Sequence, residues 1–264
     1  MEYDQVKDRL EKIIGDSPVA RHLFFAALDR LFLRSRYIRR EIGRLKRSGF
    51  SPEEILDAGS GFGQYSFRLG RMFPAAHITG LDLKQELVNS GNLFVNRSGM
   101  NNIEFERGDL LTMDDEGRFD LILCVDVLEH IEEDRKAIGN ISRALKPGGI
   151  FIFTTPYFEG KSTEEVFVDE HVRPGYSKGE TKEKLHEANL ELRQFTITYG
   201  PWGNIAWKLL QKWPMSWLSG RIWLLPVVFL YYIFAYPIAW IYMHLDMKAR
   251  NRTGGGILAV AVKR

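Results

Sequence analysis

The stretch that decides the fold is ILDAGSGFGQYS, residues 55–66. It begins as a short apolar run and ends in residues that favour a helix. Its defining positions are one aspartate and three alternating glycines: Asp57, Gly59, Gly61 and Gly63. Glycine permits a sharp turn and a close approach of the backbone to a ligand, because it carries no Cβ atom. The spacing therefore predicts a strand–turn–helix unit with a ligand-binding turn, while a plain tight turn stays an alternative.

Acidic residues follow the next apolar runs along the chain. The second run ends at Asp82, the third at residues 108–110 (Gly-Asp-Leu), and the fourth at residues 125–130 (Val-Asp-Val-Leu-Glu-His). Parallel strands present their carboxyl ends at one edge of a sheet, and open α/β sheets bind ligands there. An acidic group about 20 residues after a glycine turn is suited to hydrogen bonds with ribose hydroxyls. We therefore expect these residues to surround the glycine turn.

Apolar runs alternate with helical stretches over residues 51–199. The predicted strands are 55–58, 77–82, 103–107, 119–125, 150–155 and 191–199, and the predicted helices are 64–72, 85–98, 131–145 and 178–188. Several runs are apolar throughout, which is typical of strands buried on both faces of a parallel sheet. The alternation predicts a doubly wound, Rossmann-like α/β fold.

The motifs between Ile55 and Thr155 together resemble the class I S-adenosylmethionine-dependent methyltransferases, in particular those that act on small molecules, quinones and lipids. The resemblance includes the turn at residues 145–149 (Leu-Lys-Pro-Gly-Gly), which introduces the fifth strand. It implies a seven-stranded sheet of order 3-2-1-4-5-7-6 with an antiparallel last strand. We assign that last strand to residues 257–263, so the core comprises residues 51–199 plus 257–264.

The resemblance also implies which residues bind the cofactor, S-adenosyl-L-methionine. Its methionine part is expected over the glycine turn, its ribose at the end of the second strand, and its adenine after the third strand. The segment after the fourth strand is expected to line the cofactor and the acceptor. The implied residues are Asp57, Gly59, Ser60, Gly61 and Gly63, then Asp82 and Leu83, then Asp109 and Leu110, and finally Val125, Asp126 and His130.

Three residues after the fifth strand are candidates for a general base: Tyr157, His171 and Tyr176. The cofactor's sulfonium already makes its methyl group electrophilic, so the protein must mainly align the acceptor and exclude water. A base is needed only for a protonated acceptor. His171 is preferred because imidazole titrates near neutral pH, and a loop histidine that only hydrogen-bonds the backbone is the alternative. No metal site is expected.

Composition restricts the class of protein. The 264 residues are 45% hydrophobic and 27% charged, as in folded globular proteins, and the net charge of +2 singles out no partner. One cysteine, Cys124, excludes an internal disulfide and fits a reducing compartment. The first residues contain no apolar run typical of a secretory signal. A cytoplasmic location follows as the expectation, peripheral or monotopic on the cytoplasmic face of a membrane.

Residues 1–50 are predicted to form basic amphipathic helices. Apolar residues from Phe24 to Leu45 recur at helical spacing, and arginines and lysines crowd residues 30–47. Basic residues are attracted to anionic lipid surfaces. This region is therefore expected to contribute to membrane attachment. A solvated basic face is the alternative, and nucleic acid is not expected as a partner.

Residues 200–256 form a tryptophan-rich apolar insert. All six tryptophans lie there, and no charged residue occurs between Arg221 and Asp246. The flanking strands belong to one sheet, so a single membrane crossing would separate them. Because Pro226 and Pro237 interrupt helices, we expect two short helices in a re-entrant or in-plane hairpin. A substrate lid or a homodimer interface is the alternative to monotopic membrane attachment.

These observations predict an S-adenosylmethionine-dependent methyltransferase at a membrane surface. The expected acceptor is an apolar or amphiphilic small molecule, such as a lipid headgroup, an isoprenoid or a quinone precursor. Two alternatives stay open: a soluble small-molecule methyltransferase whose insert is a lid or dimer interface, and a non-catalytic membrane-associated binding protein on the same fold.

Overall fold

A seven-stranded sheet forms the centre of the protein. The computed structural model describes residues 17–160, 172–218 and 221–264. The strands are β1 (Glu54–Ala58), β2 (His77–Asp82), β3 (Ile103–Arg107), β4 (Phe119–Val125), β5 (Leu145–Pro156), β6 (Leu190–Thr198) and β7 (Gly256–Lys263). Their order is β3-β2-β1-β4-β5-β7-β6, and β7 is antiparallel to both of its neighbours. The predicted fold and strand order are confirmed.

Helices flank the sheet on both faces. In chain order they are α1 (Pro18–Leu31), α2 (Leu33–Arg47), α3 (Gln64–Met72), α4 (Gln85–Ser98), α5 (Asp134–Ala144), α6 (Lys178–Glu187), α7 (Pro201–Trp207), α8 (Trp213–Leu218) and α9 (Leu225–Lys248). Short 3₁₀ turns cover Leu128–His130 and Ile222–Leu224, and Lys208–Lys212 is a π-helical turn. The predicted bounds of α3 and α4 agree with the structure at both ends.

Alternating side chains of the central strands build two apolar layers. In β4, Leu121 and Leu123 belong to one layer, whereas Ile122 and Cys124 belong to the other. Burial raises the pKa of the Cys124 thiol well above its ordinary value, so this cysteine acts as a small buried apolar residue. The first layer packs against the N-terminal helices and α9, and the second packs against α5 and α6.

Helices α1 and α2 form an N-terminal arm, residues 17–47, that lies against the sheet domain. The two helices meet at Phe32, whose backbone is extended. The apolar side of α2 enters the core with Tyr37, Ile38 and Ile42. One of the basic residues of α2, Arg36, points into the protein: it is buried, and its guanidinium donates to the Tyr236 hydroxyl.

The insert folds as a helical hairpin, residues 201–248. Its first limb runs through α7, the π-helical turn and α8, and its second limb is α9. Tyr231 and Tyr232 of α9 donate to the carbonyls of Leu209 and Leu210, so the limbs pack side by side. A hairpin was expected, but the prediction that Pro226 and Pro237 divide it into two short helices was wrong, because α9 contains both prolines.

Pro237 does not end a helix. Helix α9 continues through it, while Pro226 occupies the first turn, where an amide hydrogen has no helical partner in any case. The neighbours of Pro237 explain the continuation: Tyr236 and Ala239 pack on the core, and Pro237 itself is on the exposed face. Packing on both sides thus compensates for the lost hydrogen bond.

The root of the hairpin is held by a buried carboxylate, Asp246. The Tyr37 hydroxyl donates to its Oδ2 at 2.8 Å, and the Gly203 amide donates to its Oδ1 at 3.0 Å. The root leaves the sheet between Thr198, which ends β6, and Gly256, which begins β7 and also pairs with Pro156 at the end of β5. The hairpin therefore emerges from the edge at which β1, β2, β4 and β5 have their carboxyl ends.

Candidate cofactor and acceptor site

The glycine turn after β1 is held by hydrogen bonds to the neighbouring strand. The amides of Gly59 and Ser60 donate to the Leu81 carbonyl at 2.8 and 2.9 Å, and the amide of Gly61 donates to Asp82 Oδ2 at 2.8 Å. The three glycines have φ of 77°, 53° and 80°. These left-handed values favour glycine.

At two of these three positions there is also no room for a side chain. A Cβ on Gly59 would lie 2.3 Å from Val127 Cγ2, and a Cβ on Gly63 would lie 2.5 Å from Phe105 Cζ. A Cβ on Gly61 would meet nothing within 4 Å. The turn is therefore packed on its inner side and open above Gly61.

Asp57 supports the turn from within. It is buried and accepts a hydrogen bond from the Ser66 hydroxyl of α3 at 2.5 Å. Burial raises the pKa of Asp57 to about 6, despite the hydrogen bond from Ser66. Because its carboxylate faces the protein, we assign it the positioning of the turn against α3.

Asp82 presents its carboxylate at the end of β2. Its two oxygens accept from the Gly61 amide and, at 3.0 Å, from the Lys84 amide. The half-buried side chain is thus preorganised beside the turn, and Leu83 next to it is exposed. A ribose with two hydroxyls fits such an acceptor. Ser60 adds a buried hydroxyl without a hydrogen-bond partner, which is a further polar group suited to a ligand.

The segment after β3 turns beside the same edge. Asp109 Oδ1 accepts from the Leu111 amide at 2.8 Å, which closes the turn, and the Leu110 side chain is buried. The Leu110 carbonyl accepts from Asn140 of α5 at 2.8 Å. These contacts place the half-buried Asp109 at the same carboxyl edge as Asp82, as the sequence predicted.

The segment after β4 meets the N-terminal arm. Asp126 has a left-handed backbone, with φ of 52°, and its carboxylate accepts from the Thr154 hydroxyl and pairs with the Arg34 guanidinium. Val125 is half-buried beside it, and His130 is exposed. Arg34 lies on α2, far from these motifs in sequence, and no pattern in the sequence pointed to it.

The arm also reaches the glycine turn. Arg21 of α1 donates to the Phe62 carbonyl within the turn at 2.8 Å and to Ser90 of α4. Asp29 pairs with Arg68 of α3. The arm therefore covers one side of the candidate site, so residues that were predicted as a membrane signal partly serve this site.

Glu129 lies within the segment 125–130 that is expected to line the cofactor and the acceptor, but no individual role was predicted for it. It is buried, its Oε2 has no hydrogen-bond partner, and burial raises its pKa to about 7. It follows β4 within the 3₁₀ turn, next to His130. Its burial could not be predicted, because nothing in the sequence distinguishes a buried glutamate from an exposed one.

The structure separates the candidate bases. Tyr157 is half-buried after β5, with its amide bonded to the Gly255 carbonyl at the hairpin root. Tyr176 is buried, and its hydroxyl donates to Asp134, which also pairs with Lys184. Burial and the Asp134 charge raise the pKa of Tyr176, which favours a structural role over that of a base. His171 lies outside the described residues.

Within residues 17–160, 172–218 and 221–264, no group of three or more histidine, cysteine or acidic side chains is arranged to hold a metal ion. The arrangement is thus an anchored glycine turn with carboxylates at the ends of the neighbouring strands. A nucleoside with a cationic, amino-acid-like extension fits these groups.

Comparison with known proteins agrees with this geometry. The family model described as a methyltransferase domain matches residues 50–210, which is more than half of the chain. A curated relative, the ubiquinone biosynthesis O-methyltransferase of Colwellia psychrerythraea, is 30% identical over 110 residues. That match covers 41% of this chain and 44% of the relative, so the chain spans less than half the length of the curated relatives it matches.

Solved structures share the fold at low sequence identity. The phosphoethanolamine N-methyltransferase 2 of Haemonchus contortus, solved with S-adenosyl-L-methionine, has a TM-score of 0.56 at 20% identity, over 81% of this chain and 49% of that one. The [4+2]-cyclase SpnF has a TM-score of 0.56 at 22% identity, over 81% and 75%. The chain therefore belongs to the methyltransferase domain family, with the seven-stranded sheet expected of its class I members.

Proposed function

We propose that the protein transfers a methyl group from S-adenosyl-L-methionine to an apolar or amphiphilic small molecule at a membrane surface. The candidate acceptors are a lipid headgroup, an isoprenoid or a quinone precursor. The observation that carries the proposal is the exposed apolar hairpin, whose root lies at the same sheet edge as the glycine turn. Relatives named ubiquinone biosynthesis O-methyltransferases support a quinone-type acceptor.

Helix α9 has the properties expected of a membrane-associated element. It is long and apolar enough to cross a bilayer, with a mean hydropathy of 1.6. Only 17% of its most apolar 18-residue stretch is buried. Soluble proteins rarely expose a large contiguous apolar patch that has no binding function. We infer attachment on the cytoplasmic face of a membrane, with residues 200–256 as the attaching segment and residues 51–199 plus 257–264 as the catalytic core.

The residues at the sheet edge have distinct roles in the proposed reaction. Bound S-adenosyl-L-methionine supplies an electrophilic methyl group. Gly59, Gly61 and Gly63 give the backbone close approach to the methionine part, while Asp82 accepts from the ribose and Asp109 with Leu110 flanks the adenine. Val125, Asp126 and His130 line the side toward the acceptor. Alignment and the exclusion of water by the arm then account for most of the rate.

The acceptor side lies at the end of β5. Tyr157 stands between the glycine-turn edge and the hairpin root, which suits contact with an acceptor arriving along the hairpin. We keep His171 as the proposed base for a hydroxyl acceptor, and we propose no metal ion. An acceptor that is already deprotonated needs no base.

Replacing Asp82 with alanine is expected to weaken cofactor binding about 10- to 100-fold, since hydrogen bonds to a charged group contribute about 1.5–3 kcal/mol each. The change removes the proposed ribose acceptor and the hydrogen bond that holds Gly61. Calorimetric titration with S-adenosylhomocysteine measures the effect.

A matched control is Asp120→Ala. Asp120 also accepts from two backbone amides, those of Glu53 and Glu54, but it lies at the opposite edge of the sheet. Its loss is expected to lower stability and to leave cofactor affinity unchanged. Equal affinity losses in both variants would contradict the assignment of Asp82.

Mass spectrometry of lipid and quinone extracts tests the whole proposal. Extracts from cells with and without the protein are compared for a species that differs by one methyl group, and the purified protein is then given labelled cofactor and the candidate acceptor. A water-soluble acceptor methylated equally well without membranes would favour a soluble enzyme with the hairpin as a lid or dimer interface. Cofactor binding without any methylated product would favour a binding protein.

A further inference from the structure

The outer face of helix α9 is apolar along nearly its whole length. Phe229 and Phe234 in its first half are 72% and 69% exposed, and Trp223 in the 3₁₀ turn just before it is 75% exposed. The exposure continues to the other end with Ile238, Trp240, Ile241 and Leu245. At 1.5 Å per residue, the exposed stripe is about 30 Å long.

The opposite face of the same helix is attached to the protein. Val228, Ala235, Ala239 and Met243 are buried, and Asp246 anchors the last turn. Their spacings of seven, four and four residues place them on one side of α9, which packs on the first limb and, toward the root, on the core, while the other side faces outward. Because the first limb and the core cover this side of α9, only its outer face is available to contact a bilayer.

Basic residues mark the two ends of the apolar stripe. Arg221 is exposed beside its first residues, while Lys248, Arg250 and Arg252 are exposed beside its last. Arg40 of the arm joins the second group, because it is exposed and donates to the Met247 carbonyl at 2.5 Å. The one acidic residue of the segment 200–256 is Asp246, which is buried. The surface is therefore apolar at its centre and cationic at its ends.

We propose that this outer face docks the protein onto a bilayer rich in anionic lipids, with α9 lying in the membrane plane. The apolar stripe enters the boundary between headgroups and acyl chains, and the cations at the hairpin root contact the lipid phosphates. The root lies at the edge that carries the glycine turn, so the acceptor passes from the lipid to the site past Tyr157. The docking deepens the membrane attachment of the proposed function, and the acceptor's path rests on the proposed methyl transfer.

Vesicle flotation tests the choice of lipid. The full chain is mixed with vesicles of phosphatidylcholine alone or with one third phosphatidylglycerol, at low and moderate salt. We expect strong binding to the anionic vesicles and weak binding to the neutral ones, with salt weakening the former. Equal binding to both vesicles would overturn the anionic partner, and no binding to either would overturn the docking.

Charge variants test the cationic ends. Lys248→Gln, Arg250→Gln and Arg252→Gln together are expected to lower the affinity for anionic vesicles about 100-fold. The matched control is Lys136→Gln, Lys178→Gln and Lys182→Gln, three exposed lysines on α5 and α6, across the sheet from α9. An equal loss in the control set would overturn the proposed orientation.

Tryptophan quenching tests the in-plane arrangement. Trp223 lies just before the start of α9, and Trp240 lies about 22 Å along the helix from that start. Each is removed in turn as Trp223→Phe and Trp240→Phe. Lipids brominated at shallow or deep positions quench tryptophan fluorescence, and the quenching lost in each variant gives the membrane depth of the tryptophan that was removed. Equal shallow depths support the proposal. A deep Trp223 with a shallow Trp240 would overturn it, because the hairpin would then insert by its tip.

Separate measurements distinguish the two proposals. Calorimetry with S-adenosylhomocysteine reports on the enzymatic site without lipid, and flotation reports on docking without cofactor. Self-association abolished by Phe229→Ser and Phe234→Ser, with vesicle binding unaffected, would assign the face to a second copy of the chain and overturn the docking. Loss of vesicle binding in these variants, with cofactor affinity unchanged, supports it.

Discussion

Gly59→Ala is expected to destabilise the protein by about 3 kcal/mol and to lower cofactor affinity at least about 10-fold. Two effects combine: a left-handed backbone costs a non-glycine residue about 1–2 kcal/mol, and overpacking costs about 1–3 kcal/mol. The new Cβ would lie 2.3 Å from Val127 Cγ2, so either the turn or Val127 must move. Chemical denaturation and calorimetric titration measure the two losses.

Two further variants separate the causes. Gly99→Ala has a similar backbone, with φ of 67°, but nothing within 4 Å of the added Cβ, and it lies away from the site. Gly99→Ala should lose only the stability that the left-handed backbone costs, and it should keep its cofactor affinity. Adding Val127→Ala to Gly59→Ala should restore part of the stability. No recovery in that double variant would show that the contact with Val127 does not determine the effect.

Glu129→Gln is expected to stabilise the protein at pH 8 by about 3 kcal/mol, at 1.36 kcal/mol per pKa unit. Burial raises the pKa of Glu129 from 4.5 to about 7. Between these values the folded chain holds a proton that the unfolded chain releases. Glu129 therefore lowers the free energy of unfolding as the pH rises from 4.5 to 7, and this contribution should be absent in the variant, whereas the contribution of Asp57, whose pKa is raised to about 6, stays in both proteins.

Urea denaturation from pH 4.5 to pH 8 checks this expectation. The two proteins should be equally stable at pH 4.5 and should diverge as the pH rises. Glu133→Gln is the matched control, because Glu133 is exposed and close in sequence, and its stability should follow the wild type throughout. A variant less stable than the wild type at pH 8 would show that the Glu129 carboxylate is stabilised when ionised.

Much of the core could be predicted from sequence because its signals are local. The glycine spacing at Gly59, Gly61 and Gly63 reflects backbone conformation, and apolar runs such as Ile55–Ala58 reflect strands buried on both faces. Helices α3 and α4 were predicted with their observed bounds for the same reason. The strand order came from the resemblance of the whole motif set to a family, not from any single segment.

The candidate site could be predicted only in part. Asp82 and Asp109 follow strands whose carboxyl ends share an edge, so topology alone brings them together. The surroundings of Tyr176 could not be predicted, since its hydroxyl donates to Asp134 of α5, 42 residues away along the chain. The pairing of Arg34 with Asp126 spans 92 residues, and no periodic pattern records such a contact.

By itself, the sequence determined the Rossmann-like fold, the glycine turn and the apolar character of the hairpin, because local backbone preference and hydrophobic patterning depend on neighbouring residues. Only the tertiary structure decided that α9 continues through Pro237, that the arm covers the site, and which side of α9 faces outward. Those outcomes depend on packing between distant segments, such as Tyr37 against Asp246, and packing can override a local preference when both flanks of a residue are held.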